Sequence, residues 1–135
     1  DGVLATAYVL ARANGTPLVL AIDHRRSPLV RAGVRFRASL QARSRAGADT
    51  REWVPAIGDA RHLLLMERGG EGFFVVNKAA TPLTLSAAEL AGGQLRGRYR
   101  NLRDGRLLLI GGRNGQPLTV PARDGLYFLR EPGGA

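Results

Sequence analysis

The chain has 135 residues, 44% hydrophobic and 23% charged, enough for one folded domain with its own core. It contains no cysteine, which excludes disulfides, thiolate metal sites and a cysteine nucleophile. The net charge is +9, and of 20 basic residues only Lys78 is a lysine. That arginine bias reads first as composition and second as attraction to an anionic polymer. No apolar run is long enough to span a bilayer and no leader pattern is present. The start at Asp1, without Met, reads as a mature product or a fragment.

Residues 3–14 predict a helix rich in Ala and Leu, with Asp1 near its start and Asn14-Gly15 as its stop. It has almost no polar face, so it needs cover on several sides, which the rest of the chain hardly provides. Residues 17–22 are a short apolar run, as in a buried parallel strand. Ser27-Pro28 then opens a second helix running to about Gln41, with Leu29, Val30, Gly33, Val34, Phe36 and Leu40 as its apolar set. Residues 1–43 thus read helix, strand, helix, the order of an α/β protein. A single strand makes no sheet, so this segment reads as the end of a larger domain. Residues 44–51 have linker composition.

From residue 52 to 135 the pattern changes to short strands spaced as in an antiparallel β-sandwich. They are predicted at 53–57, 63–67, 73–77, 83–85, 97–102, 106–110, 118–121 and 126–130. Phe73-Phe74-Val75-Val76 is continuously apolar and fits a central strand covered on both faces, pairing with Leu63–Met66 across Gly69-Gly70-Glu71-Gly72. Which of Phe73 and Phe74 faces inward stays open. Asp104-Gly105 and Asn114-Gly115 read as hairpin turns and Asp124-Gly125 as a further turn. Ser86-Ala87-Ala88-Glu89 has the capping-box pattern for a very short helix.

Several segments resemble glycoside hydrolase family 13, the α-amylases. Residues 4–12 with Gly15-Thr16-Pro17-Leu18-Val19 are similar to the helix and Gly-x-Pro turn that lead into the eighth barrel strand. Val34-Arg35-Phe36-Arg37 resembles the final barrel helix. His62-Leu63-Leu64-Leu65, Gly72–Lys78 and Arg98–Leu102 with Asp104-Gly105 resemble strands of the β domain that follows. The resemblance spans nearly the whole chain in order. It implies a mixed fold: an α/β tail (helix, strand, helix, the end of a TIM barrel) followed by an antiparallel β-sandwich. It implies a parent that cleaves α-glucans, with the β domain structural or touching polysaccharide, in an extracellular or periplasmic setting. The family's catalytic Asp and Glu would lie before residue 1, so no residue here is expected to be catalytic. Calcium is implied for the parent alone, and no cofactor or metal is expected in this chain. The expected partners are the rest of the barrel or a second chain, and an α-glucan; no membrane partner is expected.

Four residues are candidate substrate contacts. Asp23, His24 and Arg25 follow the predicted parallel strand, at the end that faces a barrel's mouth. Their plainer reading is a solvated loop. Trp53 is a candidate stacking platform for a sugar ring, with packing as the plainer reading. The other class of function is a stand-alone basic β domain that binds an anionic polymer such as nucleic acid. Its best support is the alternation Arg96, Arg98, Arg100, which a strand would place on one face, but Tyr99 would point away from them, and solvated arginines are the plainer reading. His24 and His62 have no partner at metal-ligand spacing.

Overall fold

The computed structural model describes residues 2–13 and 27–132. The predicted strand 17–22, the stop at Asn14-Gly15 and the cap at Asp1 lie outside these residues.

Helix α1 spans Gly2–Ala11 and α2 spans Pro28–Arg45. Eight strands follow: β1 Glu52–Trp53, β2 Leu63–Arg68, β3 Gly72–Asn77, β4 Leu83–Leu85, β5 Gly97–Asn101, β6 Leu107–Ile110, β7 Leu118–Val120 and β8 Asp124–Arg130. The one-turn helix α3, Ala87–Leu90, lies between β4 and β5. Six strands form an antiparallel sheet in the order β1-β2-β3-β8-β5-β6, and β4 pairs with β7 in a small second sheet.

The large sheet is covered on both faces. On one, Leu63, Leu65, Phe73, Tyr99, Leu108, Ile110 and Phe128 pack with Leu85, Leu90 and Val120 from the small sheet and α3. This is the sandwich. On the other, Met66, Phe74, Val76, Tyr127 and Leu129 pack against Ala7 and Ala11 of α1 and Leu29, Ala32, Phe36 and Leu40 of α2. Alternate residues of a strand point to opposite faces. Phe73 therefore enters one core and Phe74 the other, and both are 0% exposed. The open question about the two is answered by both being inside.

Local chemistry sets the helix limits. Pro28 occupies the first turn of α2, and the Ser27 hydroxyl accepts from the Val30 amide at 3.2 Å. Ser86 and Glu89 form the predicted capping box of α3. The carbonyls at the end of α1 have no helical partner and are taken by arginines. Arg68 Nη1 donates to Ala11 O at 2.8 Å, and Arg37 Nη1 donates to Arg12 O at 3.0 Å.

The expectation that the chain hardly covers α1 holds in part: the sheet and α2 cover one side, while Leu4, Ala5 and Tyr8 line a groove that stays open. Ala7, Leu10 and Ala11 are buried. Tyr127 of β8 reaches up between the helices and its hydroxyl donates to Ala7 O. It fits because residue 33 is glycine: a Cβ there would stand 2.7 Å from the Tyr127 hydroxyl and 2.8 Å from Leu10 Cδ1. Three turn and strand expectations also shift. The first strand is only two residues long, since Pro55 has no amide for a ladder. Asp124-Gly125 begins β8 instead of turning, and the turn falls at Arg123, whose φ is 50°. Asn114-Gly115 lies between strands of different sheets and so closes no ladder. The predicted linker is shorter, because α2 continues to Arg45, and Thr50 is pinned by Arg68 Nε donating to its carbonyl at 2.6 Å.

Phe73→Ala and Phe74→Ala should each destabilise by ~3–5 kcal/mol, one through each core. Thermal melts check this; an unchanged Tm for either variant would contradict the two-sided burial of β3.

Candidate functional site

Among the described residues, nine carboxylates are engaged. Asp49 pairs with Arg51, Glu52 with Arg12, Asp59 with His62, Glu71 with Arg43, Asp104 with Arg106, Asp124 with Arg103 and Glu131 with Arg100. Glu89 accepts from the Ser86 and Gly58 amides. Glu67 is 0% exposed; Oε1 accepts from the Gln94 amide at 2.9 Å, while Oε2 has no hydrogen-bond partner. Burial pushes its carboxyl above the usual glutamate range. A glycosidase needs two carboxyls facing a sugar, roughly 5–10 Å apart. Glu67 has the raised pKa of a general acid but no access to substrate. The described residues include no group of three His, Asp or Glu that could hold a metal ion. No described helix is long and apolar enough to cross a membrane.

Two clefts remain. The larger, of about 590 Å³, is an apolar groove along α1. Leu4, Ala5 and Tyr8 of the helix face Ala60, Leu64 and Val76, with Lys78 and Arg123 also lining it. The second, of about 350 Å³, is lined by Asp49, Arg51, Glu52, Trp53 and Gln94 at the edge strand β1. Trp53 is 43% exposed. It lies opposite Glu67 in the β1–β2 ladder and therefore on the sandwich side of the sheet, away from the helices. The approach is tight: a Cβ on Gly93 would stand 2.5 Å from Trp53 Cζ3 and 2.1 Å from Glu67 Oε2. Asp49 and Arg51 meet as a two-point fork, Nε to Oδ1 and Nη2 to Oδ2, both 3.0 Å. Hydrogen bonds from the Arg51 side chain and amide hold the Asp49 carboxyl at about 2.

Of the four sequence-predicted contacts, Trp53 stands at a cleft, and Asp23, His24 and Arg25 lie outside the described residues. Asp49, Arg51 and Gln94 were missed. The alternation Asp49, Arg51, Trp53 was a readable signal for the first two; nothing local announced Gln94. The basic face is reduced by the structure. Gly97 takes φ 103°, so Arg96 stands before the strand and is out of line with Arg98 and Arg100. Arg96 donates to Gly93 O and Leu95 O, and Arg100 to Glu131 and Gly105 O. His62 Nδ1 is 3.0 Å from Asp59 Oδ1.

The chain superposes on an α-amylase from Malbranchea cinnamomea with a TM-score of 0.61 and 16% identity, over 95% of this chain and 32% of that one. The fold is that of part of an α-amylase. An α-amylase from Geobacillus thermoleovorans, solved with acarbose, gives 0.54 and 15% over 96% of this chain and 33% of that one. An Anoxybacillus α-amylase gives 0.54 and 16% over 98% and 33%. The chain spans about a third of the length of these α-amylases. No family model and no curated relative matches it.

Glu67 gives this α-amylase-like fold a pH dependence. Its folded pKa is raised, so the folded state keeps the proton to higher pH than the unfolded chain. The associated stability is present at low pH and is lost as pH rises from the ordinary glutamate range through the raised value. Glu67→Gln removes the titration. The variant should match the wild type at pH ~4 and exceed it at pH ~8 by ~1 kcal/mol, a few degrees in Tm. Melts at the two values check this; a variant less stable at the higher pH would contradict it.

Proposed function

We propose that this chain is the C-terminal portion of an α-amylase-type glycoside hydrolase acting on α-glucans, and that its β domain is structural, with an accessory contact to polysaccharide. The observation that carries the reading is the fold likeness over at least 95% of this chain and only a third of each α-amylase. It leaves two thirds of such an enzyme to supply the reacting carboxylates. The open groove supports it. Leu4, Tyr8, Leu64 and Val76 form an apolar seat of the kind that a packed neighbour covers. In this reading the rest of a barrel sits there, and Asp23, His24 and Arg25 line the mouth near the bound glucan. In this reading any calcium belongs to the parent enzyme. An extracellular or periplasmic setting fits a polymer too large to cross a membrane.

The alternative, a basic domain that binds a polyanion, is disfavoured by what the arginines do. Arg12, Arg43, Arg51, Arg100 and Arg103 pair with acids, and Arg37 and Arg68 hold backbone carbonyls. A phosphate backbone needs such side chains free.

The polypeptide extended through its upstream coding segment should hydrolyse soluble starch, and the 135-residue chain alone should not. Hydrolysis by the purified short chain, with contaminating amylase excluded, would overturn the reading. So would an extended, folded protein inert on every α-glucan tried.

A further inference from the structure

The cleft at β1 combines three features that rarely coincide by packing alone. The first is an aromatic face in water. Trp53 is 43% exposed, yet its indole edge rests on Gly93, so the ring is held before anything binds. A side chain that is already fixed loses little freedom on binding. The second is a planar polar pair beside it. Arg51 donates to Asp49 through Nε and Nη2 and through its own amide, and the bonds keep the aspartate ionised. The fork leaves Arg51 Nη1 and further carboxylate lone pairs for a ligand. Neighbouring donors and acceptors of this kind match adjacent hydroxyls, each of which gives and takes one hydrogen bond. The third is Gln94, which lines the same cleft and whose backbone amide donates to Glu67 Oε1 at 2.9 Å.

We infer that this edge is a carbohydrate-binding subsite, in which a pyranose ring of an α-glucan stacks on Trp53 and hydrogen-bonds to Asp49, Arg51 and Gln94. The apolar C–H face of the sugar meets the indole, and its rim of hydroxyls meets the polar groups. The volume, about 350 Å³, lies within the range of small-ligand sites. Charge selects the class of ligand. Arg51 and Asp49 neutralise each other, so the cleft offers a neutral sugar full hydrogen bonding and offers a polyanion no net attraction. Position allows it to work in a larger assembly. Trp53 lies on the sandwich side of the sheet and the α1 groove on the helix side, so covering the groove leaves the cleft open. The choice of an α-glucan rests on the proposed function; the stacking and hydrogen-bonding chemistry rests on the cleft.

Trp53 is the chain's one tryptophan, so emission under excitation selective for tryptophan reports this site alone. The 135-residue chain is titrated with maltoheptaose, with cellohexaose as the control for linkage. A saturable change in Trp53 emission with maltoheptaose is expected. Arg51 has an 89% exposed side chain, so Arg51→Ala spares the fold, which a melt verifies. It should weaken binding by about tenfold, the loss of one charged hydrogen-bonding group. Trp53→Phe, followed by calorimetry, should weaken it as well. No saturable change up to millimolar sugar, an equal response to cellohexaose, or a response untouched by Arg51→Ala overturns the subsite. Starch hydrolysis by the extended polypeptide keeps the two readings apart. Hydrolysis without a titration defeats the subsite alone. A titration without hydrolysis defeats the parent assignment and leaves the sugar site standing.

Discussion

Tyr127 joins the two halves of this fold. It stands on β8, between β3 and β5 in the large sheet, and runs through the helix layer to Ala7 O. Its ring lies 5.0 Å from that of Phe36 and 4.8 Å from that of Phe74. A buried hydroxyl without a partner costs free energy comparable to a lost hydrogen bond, and here the backbone of α1 supplies the partner. Burial pushes the phenol's pKa far above its ordinary value, so it stays neutral. The arrangement depends on Gly33, since any side chain there would occupy the tyrosine's path.

The position of α1 follows from that contact. One side of the helix is pinned by Tyr127 and its end by Arg37 and Arg68, which leaves Leu4 and Tyr8 to form the wall of the groove. The same arginines explain part of the charge. A guanidinium offers five donors in a rigid plane and can satisfy carbonyls that no other element reaches. The excess of arginine is therefore partly internal scaffolding. On the opposite side, Glu67 is buried with one oxygen unsatisfied, yet it fixes Gln94 beside Trp53. A group that costs stability orders the edge of the sheet.

Much of the fold was legible in the sequence. All eight strands of the described residues were marked, because alternation and glycine-rich turns are local signals. The two-sided burial of β3 was announced by Phe73-Phe74-Val75-Val76. What was not legible depends on partners distant in sequence. Nothing near Gly72 shows that Leu129 lies beside it, or that Tyr127 would cover an apolar helix. Asp124-Gly125 looked like a turn because its composition is that of one, while the pairing with β3 made it strand. At the site, Trp53 was visible as a lone aromatic. Gln94 was not, because only the loop after α3 brings it across.

Helix layer and sheet form one cooperative unit, locked by Tyr127. Native-state hydrogen exchange on the monomeric chain tests this most directly. The amides of Leu10 and Ala11 in α1 should be protected to the same degree as those of Val75 in β3 and Phe128 in β8, and should open together with them. Fast exchange in α1 beside a fully protected sheet would show that the helix is only laid on the surface, and would contradict the account.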